Sequence, residues 1–523
     1  MPGFSKGVID QVLAAVRPVP QPEVPEASRI TVHAAVSRFS VIYEKIRNVI
    51  DYNDEHLLRK AAIKRIFSRQ LVLESEAEVI ARNLVRELIA ARYLPNGVLP
   101  EQLIADVTVP VAKYLAIDRT RFASRVLTDW LRGVVSVEIE EILVDMTTQK
   151  ALVTFLYERL ADRVRLRGAT LSEADVRLQV YIAAHRSLLK SDDEVLSYKL
   201  LRAYVPEWLR PEEWLGDARA ITEKLPATQT RILQTLTHPL AQKFIRLVKP
   251  WAVSLRILWD ACMEKPDQVE KLFVSPETLH LSVGRLADRR YKAAKTKLRR
   301  GAVRATFYLL VTKMLVAFAI EVPVEMLWYK KVAMTALIIN VSFPPLLMFF
   351  VGLLIRVVGK ENTTKIQATI DKLLNAEPLP LQEIKVRAEH GVVGATMMRL
   401  SYGALFFIIF GGIGWSLVKL DFTPVSAAIF LFFLCVVSFF AFRLRQNARE
   451  FIIVDSKETV GSFIMDFISL PILRAGSLLS QGISRINVFL FFFDFLFEAP
   501  FKILLSVLEE WLLFLKDKKE ELQ

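Results

Sequence analysis

Three uncharged runs constrain this chain more than any other feature. There are 24 consecutive residues without a charge between Lys331 and Arg356, 19 between Arg399 and Lys419, and 21 between Asp421 and Arg443. A helix needs roughly 20 mostly apolar residues to cross a hydrocarbon core. Each run therefore reads as a membrane-spanning helix. A fourth run, from about Ala302 to Val322, is interrupted by Lys313, but Phe307, Tyr308, Leu309, Leu310, Val311, Met314, Leu315, Val316 and Phe318 keep its body apolar.

Charge placement orients these spans. The 523 residues carry 69 Lys+Arg and 56 Asp+Glu, a net charge of +13. Residues 1–284 are nearly balanced, with 39 basic and 36 acidic residues. Residues 285–300 hold eight basic residues and one acidic, so more than half of the excess sits in one short stretch. A basic run that leads directly into an apolar helix meets anionic lipid headgroups more often than nucleic acid. Arg289, Arg290, Lys292, Lys295, Arg299 and Arg300 are the expected lipid-contacting residues. With four spans, one face receives 19 basic residues and the other only Lys330, Lys331 and Lys419. The bias of basic loops toward the cytoplasm then predicts both termini inside.

No secretory leader is read at the start. The apolar piece Val12–Val16 is too short, and Pro18, Pro20, Pro22 and Pro25 follow it. A bacterial inner membrane is the expected location. Cys262 lies before the spans and Cys435 within one, so no disulfide between them is expected.

The fold class expected is all-α: a multi-helix cytoplasmic domain followed by a helical multi-pass membrane domain of about four transmembrane helices. Apolar residues at Val32, Val36, Phe39, Tyr43, Ile46 and Ile50 recur every three or four positions, the helical period. The same spacing recurs in Val79–Leu94, Phe122–Leu143, Leu152–Val164 and Val176–Leu189. Asp118 and Ser172 sit where an N-cap oxygen is needed, and Ser191-Asp-Asp-Glu194 has capping-box spacing. Ser275-Pro276-Glu277 combines a cap, a first-turn proline and a favourable acid. From this start one helix is expected to continue through the basic run into the first span. Pro95-Asn-Gly97, Pro206, Pro211, Pro226, Pro250 and Pro266 punctuate the chain, and no useful strand alternation is seen.

The organisation expected is an N-terminal segment with a proline-rich linker (1–27), an all-α cytoplasmic domain (28–284), a polybasic juxtamembrane helix (285–304), a four-span membrane domain (305–450) and C-terminal amphipathic, interfacial helices (451–523). Charges recur too often in 463–516 for two further spans: Asp466, Arg474, Arg485, Asp494, Glu498, Lys502, Glu509 and Glu510.

Catalytic signals are sparse. Among six histidines there is one Glu-x-x-His, Glu277-Thr-Leu-His280, where a di-iron bundle needs two such motifs. Asp54-Glu55-His56 reads as a helix start. No phosphate-binding loop, dinucleotide fingerprint or nucleophile elbow occurs. Gly411-Gly412-Ile-Gly414 lies within a span and suggests close helix packing. No cofactor and no metal are expected. Two intramembrane polar residues stand out, Lys313 and Asn340, the latter close to Pro344-Pro345. Polar groups and broken helices at that depth mark functional paths, although Lys313 could instead snorkel to an interface. The leading expectation is a non-enzymatic scaffold, adaptor or regulatory module that meets a protein partner through its cytoplasmic domain, with self-association left open. A channel or transporter subunit with a regulatory domain is the first alternative, and a membrane enzyme with a site scattered along the chain is the second.

Overall fold

Ser275 starts the longest element. Its side chain accepts from the backbone N–H of Thr278, 3.3 Å away, and Pro276 supplies a preset first turn. The helix that follows, Pro276–Val316, runs 41 residues without interruption through the basic stretch and into the first apolar run. The computed structural model describes residues 5–16, 25, 28–32, 55–120, 124–168, 171–354, 360–375, 377–386, 392–448, 452–453 and 460–485. The helical stripe beyond Val32, most of the proline-rich linker and residues 486–523 lie outside them.

The elements are numbered in chain order: α1 (Lys6–Val16), α2 (Glu55–Leu73), α3 (Ala77–Ala90), α4 (Gln102–Arg119), α5 (Arg125–Leu143), α6 (Thr147–Leu160), β1 (Val164–Arg167), α7 (Glu173–Leu188), α8 (Asp193–Tyr204), α9 (Arg219–Leu236), α10 (Ala241–Glu264), α11 (Pro276–Val316), α12 (Val322–Tyr329), α13 (Met334–Leu354), α14 (Lys360–Leu374), β2 (Gln382–Lys385), α15 (Val392–Lys419), α16 (Pro424–Ala448) and α17 (Val460–Arg485). The fold of the described residues is all-helical apart from the two four-residue strands. Among the described residues, four helical stretches are long and apolar enough to cross a membrane: Pro276–Tyr329, Met334–Gly352, Thr396–Lys419 and Pro424–Leu444. They coincide with the four runs read from the sequence.

Ser172 caps α7 as expected, accepting from Asp175 N. Other local expectations need correction. Asp118 lies inside α4, and Ser124 performs the capping for α5. At α8 the cap is Asp192, which accepts from Val195 N, while Ser191 faces His185. Pro226 and Pro250 sit inside α9 and α10 rather than ending helices. A proline costs a helix one hydrogen bond and some strain, and the packing of the surrounding turns outweighs that cost here.

The N-terminal body has two cores. Helices α2–α5, α8 and α9 enclose the first around Ile63, Phe67, Leu84, Leu88, Leu131 and Trp208. The second surrounds α10, whose buried Phe244, Val248, Trp251, Leu255, Leu258 and Cys262 alternate at four and three residues, the stripe of one helix face. This second core draws on distant chain. It takes Val12 from α1, Ile366, Ile370, Leu373 and Leu374 from α14, Ile384 from β2, and Ile453.

The segment between the second and third apolar helices therefore returns to the body. Its C-terminal helix end is closed from outside: the Arg159 guanidinium donates to the carbonyl of Lys372 in the last turn, a group a helix end leaves without a partner, and to those of Asn375 and Glu377 just beyond it. His280 pairs with Asp371 at 2.9 Å, so the lone Glu-x-x-His contributes to this docking. Asn362 donates to Tyr291 Oη and accepts from Ile453 N. Strand β2 pairs in parallel with β1, Val164 opposite Gln382 and Arg167 opposite Lys385. Gly168, at φ +90°, ends the pair, and a Cβ there would lie 2.5 Å from the carbonyl oxygen of Val386.

Charged groups inside the body are hydrogen-bonded in pairs. Burial pushes the Glu140 carboxyl up to about 7, and Arg59, 3.2 Å away, only partly counters it. Burial pushes His185 down to about 4, with Lys199 adding to the effect. The signs oppose each other. A raised carboxyl favours the fold below its unfolded value near 4.5, and that contribution is lost as pH rises through about 7. A depressed histidine favours the fold above 6.5, and that contribution is lost as pH falls through about 4. Glu140→Gln should thus gain stability relative to wild type between pH 5 and 8, and His185→Gln should gain it toward pH 4. Each gain is on the order of 3 kcal/mol. Thermal unfolding of the detergent-solubilised chain across pH measures both, and parallel curves for all three proteins would contradict the assignment.

A candidate polar site within the apolar helix bundle

The apolar helices face outward with their hydrocarbon. Only 6 to 33% of the residues in each apolar window are buried. Phe307, Phe318, Leu327, Trp328, Phe407, Ile408 and Val418 stand largely exposed. A continuous surface of this kind suits lipid rather than water. Helix α11 packs against α13, α13 against α16, and α16 against α17. Gly352 admits α11 closely, since a Cβ there would lie 2.5 Å from that of Ala302. Gly476 of α17 lies on the backbone of α16, where a Cβ would overlap the carbonyl oxygen of Cys435. By contrast, Gly411, Gly412 and Gly414 of α15 have nothing within 4 Å of a Cβ position. The expected close packing at those three glycines is absent among the described residues.

Inside this apolar shell the helices enclose a polar cluster. Lys313, Asn340 and Ser426 are fully buried, and Glu321 and Glu325 are 1% exposed. Lys313 Nζ donates to Asn340 Oδ1 at 2.7 Å and lies 4.2 Å from the centre of the Phe433 ring. Asn340 Nδ2 donates to Glu321 Oε1 at 2.6 Å and to the Ser426 carbonyl at 3.1 Å. Ser426 Oγ donates to the same Glu321 Oε1 at 2.5 Å. Glu325 accepts at both oxygens, from Thr423 Oγ1 at 2.8 Å and from the Ala333 backbone N–H at 3.1 Å. The second oxygen of Glu321, Oε2, is buried and has no hydrogen-bond partner among the described residues.

Local sequence explains the placement. Lys313, Glu321 and Glu325 are separated by eight and four residues, so they recur on one face of a helix. Residues Ala317–Glu321 form a single π-helical turn between α11 and α12, a feature that often accompanies functional positions. Thr423 caps α16 by accepting from Ser426 N, which brings both hydroxyls beside the glutamates. Pro344 and Pro345 lie inside α13. Each lacks the N–H that the carbonyl four residues earlier would use, which removes that partner from the Asn340 and Val341 carbonyls.

The two intramembrane residues singled out by sequence, Lys313 and Asn340, are thus direct neighbours. Lys313 is enclosed rather than reaching an interface. Glu321, Glu325, Thr423 and Ser426 were missed, although the spacing of the two glutamates from Lys313 carried a signal. The six basic residues before the span divide into two groups. Arg289 pairs with Glu264 at 2.8 Å and Arg290 with Asp260 at 2.6 Å, both on α10. Lys292, Lys295, Arg299 and Arg300 are exposed. Among the described residues no group of three or more His, Cys, Asp and Glu side chains gathers as a metal site. Comparison with protein-family models, with characterised proteins and with solved structures gave no match.

Proposed function

We propose that this chain is a non-enzymatic integral membrane protein of the bacterial inner membrane, with both termini in the cytoplasm. Its helical body serves as a scaffold, adaptor or regulatory module for a protein partner at the membrane. One observation carries the reading: the second core of the body is assembled from chain before the first apolar helix, between the second and third, and after the fourth. A module joined by a single tether tumbles freely. A body joined at several points instead shares its energetics with the bundle, so a partner bound to either one biases the other. The basic residues support the orientation, and Trp328 and Trp415 toward the other end of the bundle suit the opposite headgroup layer.

Anionic headgroups are the proposed partners of the exposed basic residues. Each such residue near a charged surface is worth about 1 kcal/mol. Neutralising Lys292, Lys295, Arg299 and Arg300 together should lower retention of phosphatidylglycerol, read by native mass spectrometry of the purified protein. Neutralising Arg289 and Arg290, which face α10, should leave retention close to wild type. Equal retention in the fourfold variant and wild type would remove the lipid role. Site-specific photo-crosslinking from the body in cells should yield discrete protein adducts. Absence of adducts, together with solute flux in reconstituted vesicles, would replace this reading with a channel or transporter. The buried cluster around Glu321 favours that second reading, because ionisable groups among spans commonly line a path for ions or protons.

A further inference from the structure

We infer that Glu321 Oε2 is a proton-binding site inside the bundle, with Lys313 as its counter-charge.

Among the described residues, the charges enclosed by the apolar shell do not balance. Lys313 brings one positive charge, and Glu321 and Glu325 bring two carboxyl groups, all at 1% exposure or less. An uncompensated charge away from water is costly, so the cluster calls for one more cation. The hydrogen bonds identify where it goes. Both oxygens of Glu325 accept from neutral donors, as an ionised carboxylate does. Oε1 of Glu321 accepts from Asn340 and Ser426, while Oε2 accepts from no donor among the described residues. A metal ion needs several oxygen ligands at once, and among the described residues no group of three or more His, Cys, Asp and Glu side chains gathers here. A proton needs only the one oxygen. Uptake converts the carboxylate and one proton to the neutral acid, and release reverses it, with no other bond made or broken.

Asn340 keeps the site exchangeable. Its amide accepts from Lys313 on one side and donates to Glu321 on the other, so the two charges are held one side chain apart. A direct Lys–Glu pair would lock the carboxyl in its ionised form. Glu321 bonds to Asn340 from α13 and Ser426 from α16, and the other ionisable groups of the cluster, Lys313 and Glu325, lie along its own helical stretch. Neither Asn340 nor Ser426 is ionisable.

Infrared difference spectroscopy of the full-length protein in lipid nanodiscs tests the site. At neutral pH surface carboxyls are ionised, so a carbonyl band from a protonated, weakly hydrogen-bonded carboxyl reports a buried acid. The expected band shifts on incorporation of carbon-13 glutamate, disappears in Glu321→Gln, and persists in Glu325→Gln. In Lys313→Met it should persist to higher pH than in wild type. Absence of the band from wild type overturns the inference without recourse to any variant. Its survival in Glu321→Gln overturns it as well, and an unchanged titration in Lys313→Met removes Lys313 as counter-charge.

Discussion

Replacing Glu138 with alanine should cost the helical body about 3–5 kcal/mol, the typical penalty for stripping one partner from a buried ion pair. Lys113 is 3% exposed and donates to Glu138 Oε1 at 2.6 Å. The other oxygen accepts from Trp208 Nε1 at 2.9 Å, and the ammonium lies 5.2 Å from the centre of that indole ring. Removing the carboxylate leaves a buried cation and a buried N–H without acceptors. Combining Lys113→Met with Glu138→Gln should recover more than half of the loss, because the charge is gone and the glutamine oxygen still accepts from Trp208. Denaturant unfolding followed by tryptophan fluorescence measures both variants. A single variant within 1 kcal/mol of wild type, well below the range for a broken buried pair, would show that the pair is hydrated.

A second large effect is expected at Gly476. Overpacking a helix contact typically costs about 1–3 kcal/mol, but here the obstacle is the Cys435 carbonyl, which cannot rotate away. Gly476→Leu should therefore displace α17 from α16. Cys435 is buried beneath this contact, and Cys262 is buried in the body. The variant should react several-fold faster with a membrane-permeant maleimide at Cys435 and at an unchanged rate at Cys262. Identical rates at Cys435 would mean that α17 does not lie on α16. The experiment bears on how the C-terminal region meets the membrane. The sequence suggests an interfacial position for 463–516, and α17 up to Arg485 leans on α16 beside a residue near the middle of its apolar run.

Local terms made part of this fold readable in advance. Span length against hydrocarbon thickness picked out the four apolar helices, and the cap at Ser275 with its proline marked where the 41-residue helix begins. Lys313 and Asn340 attracted notice because charge and amide are expensive in an apolar run. Where local signals competed, reading was poorer. Asp118 and Ser191 have cap-forming side chains, yet the caps are Ser124 for α5 and Asp192 for α8.

Hydrophobic run length, helical period and the basic stretch are properties of neighbouring residues, so the sequence alone determined the all-helical class, the number of apolar helices and the continuity of α11. The pairing of distant segments is another matter. Residues Gln382–Lys385 have no alternating pattern of their own and become a strand only because Val164–Arg167 presents its free backbone groups to them. Ile366 and Ile370 lie in the loop between two apolar runs and join the second core only in the folded chain, where Asn362 bonds Tyr291. Glu321 lies in the fourth apolar run and becomes the centre of a buried cluster only when α13 and α16 bring Asn340 and Ser426 to it. Tertiary structure decided these because burial and hydrogen-bond partnership belong to pairs of segments, and neither segment carries the other's position in its own residues.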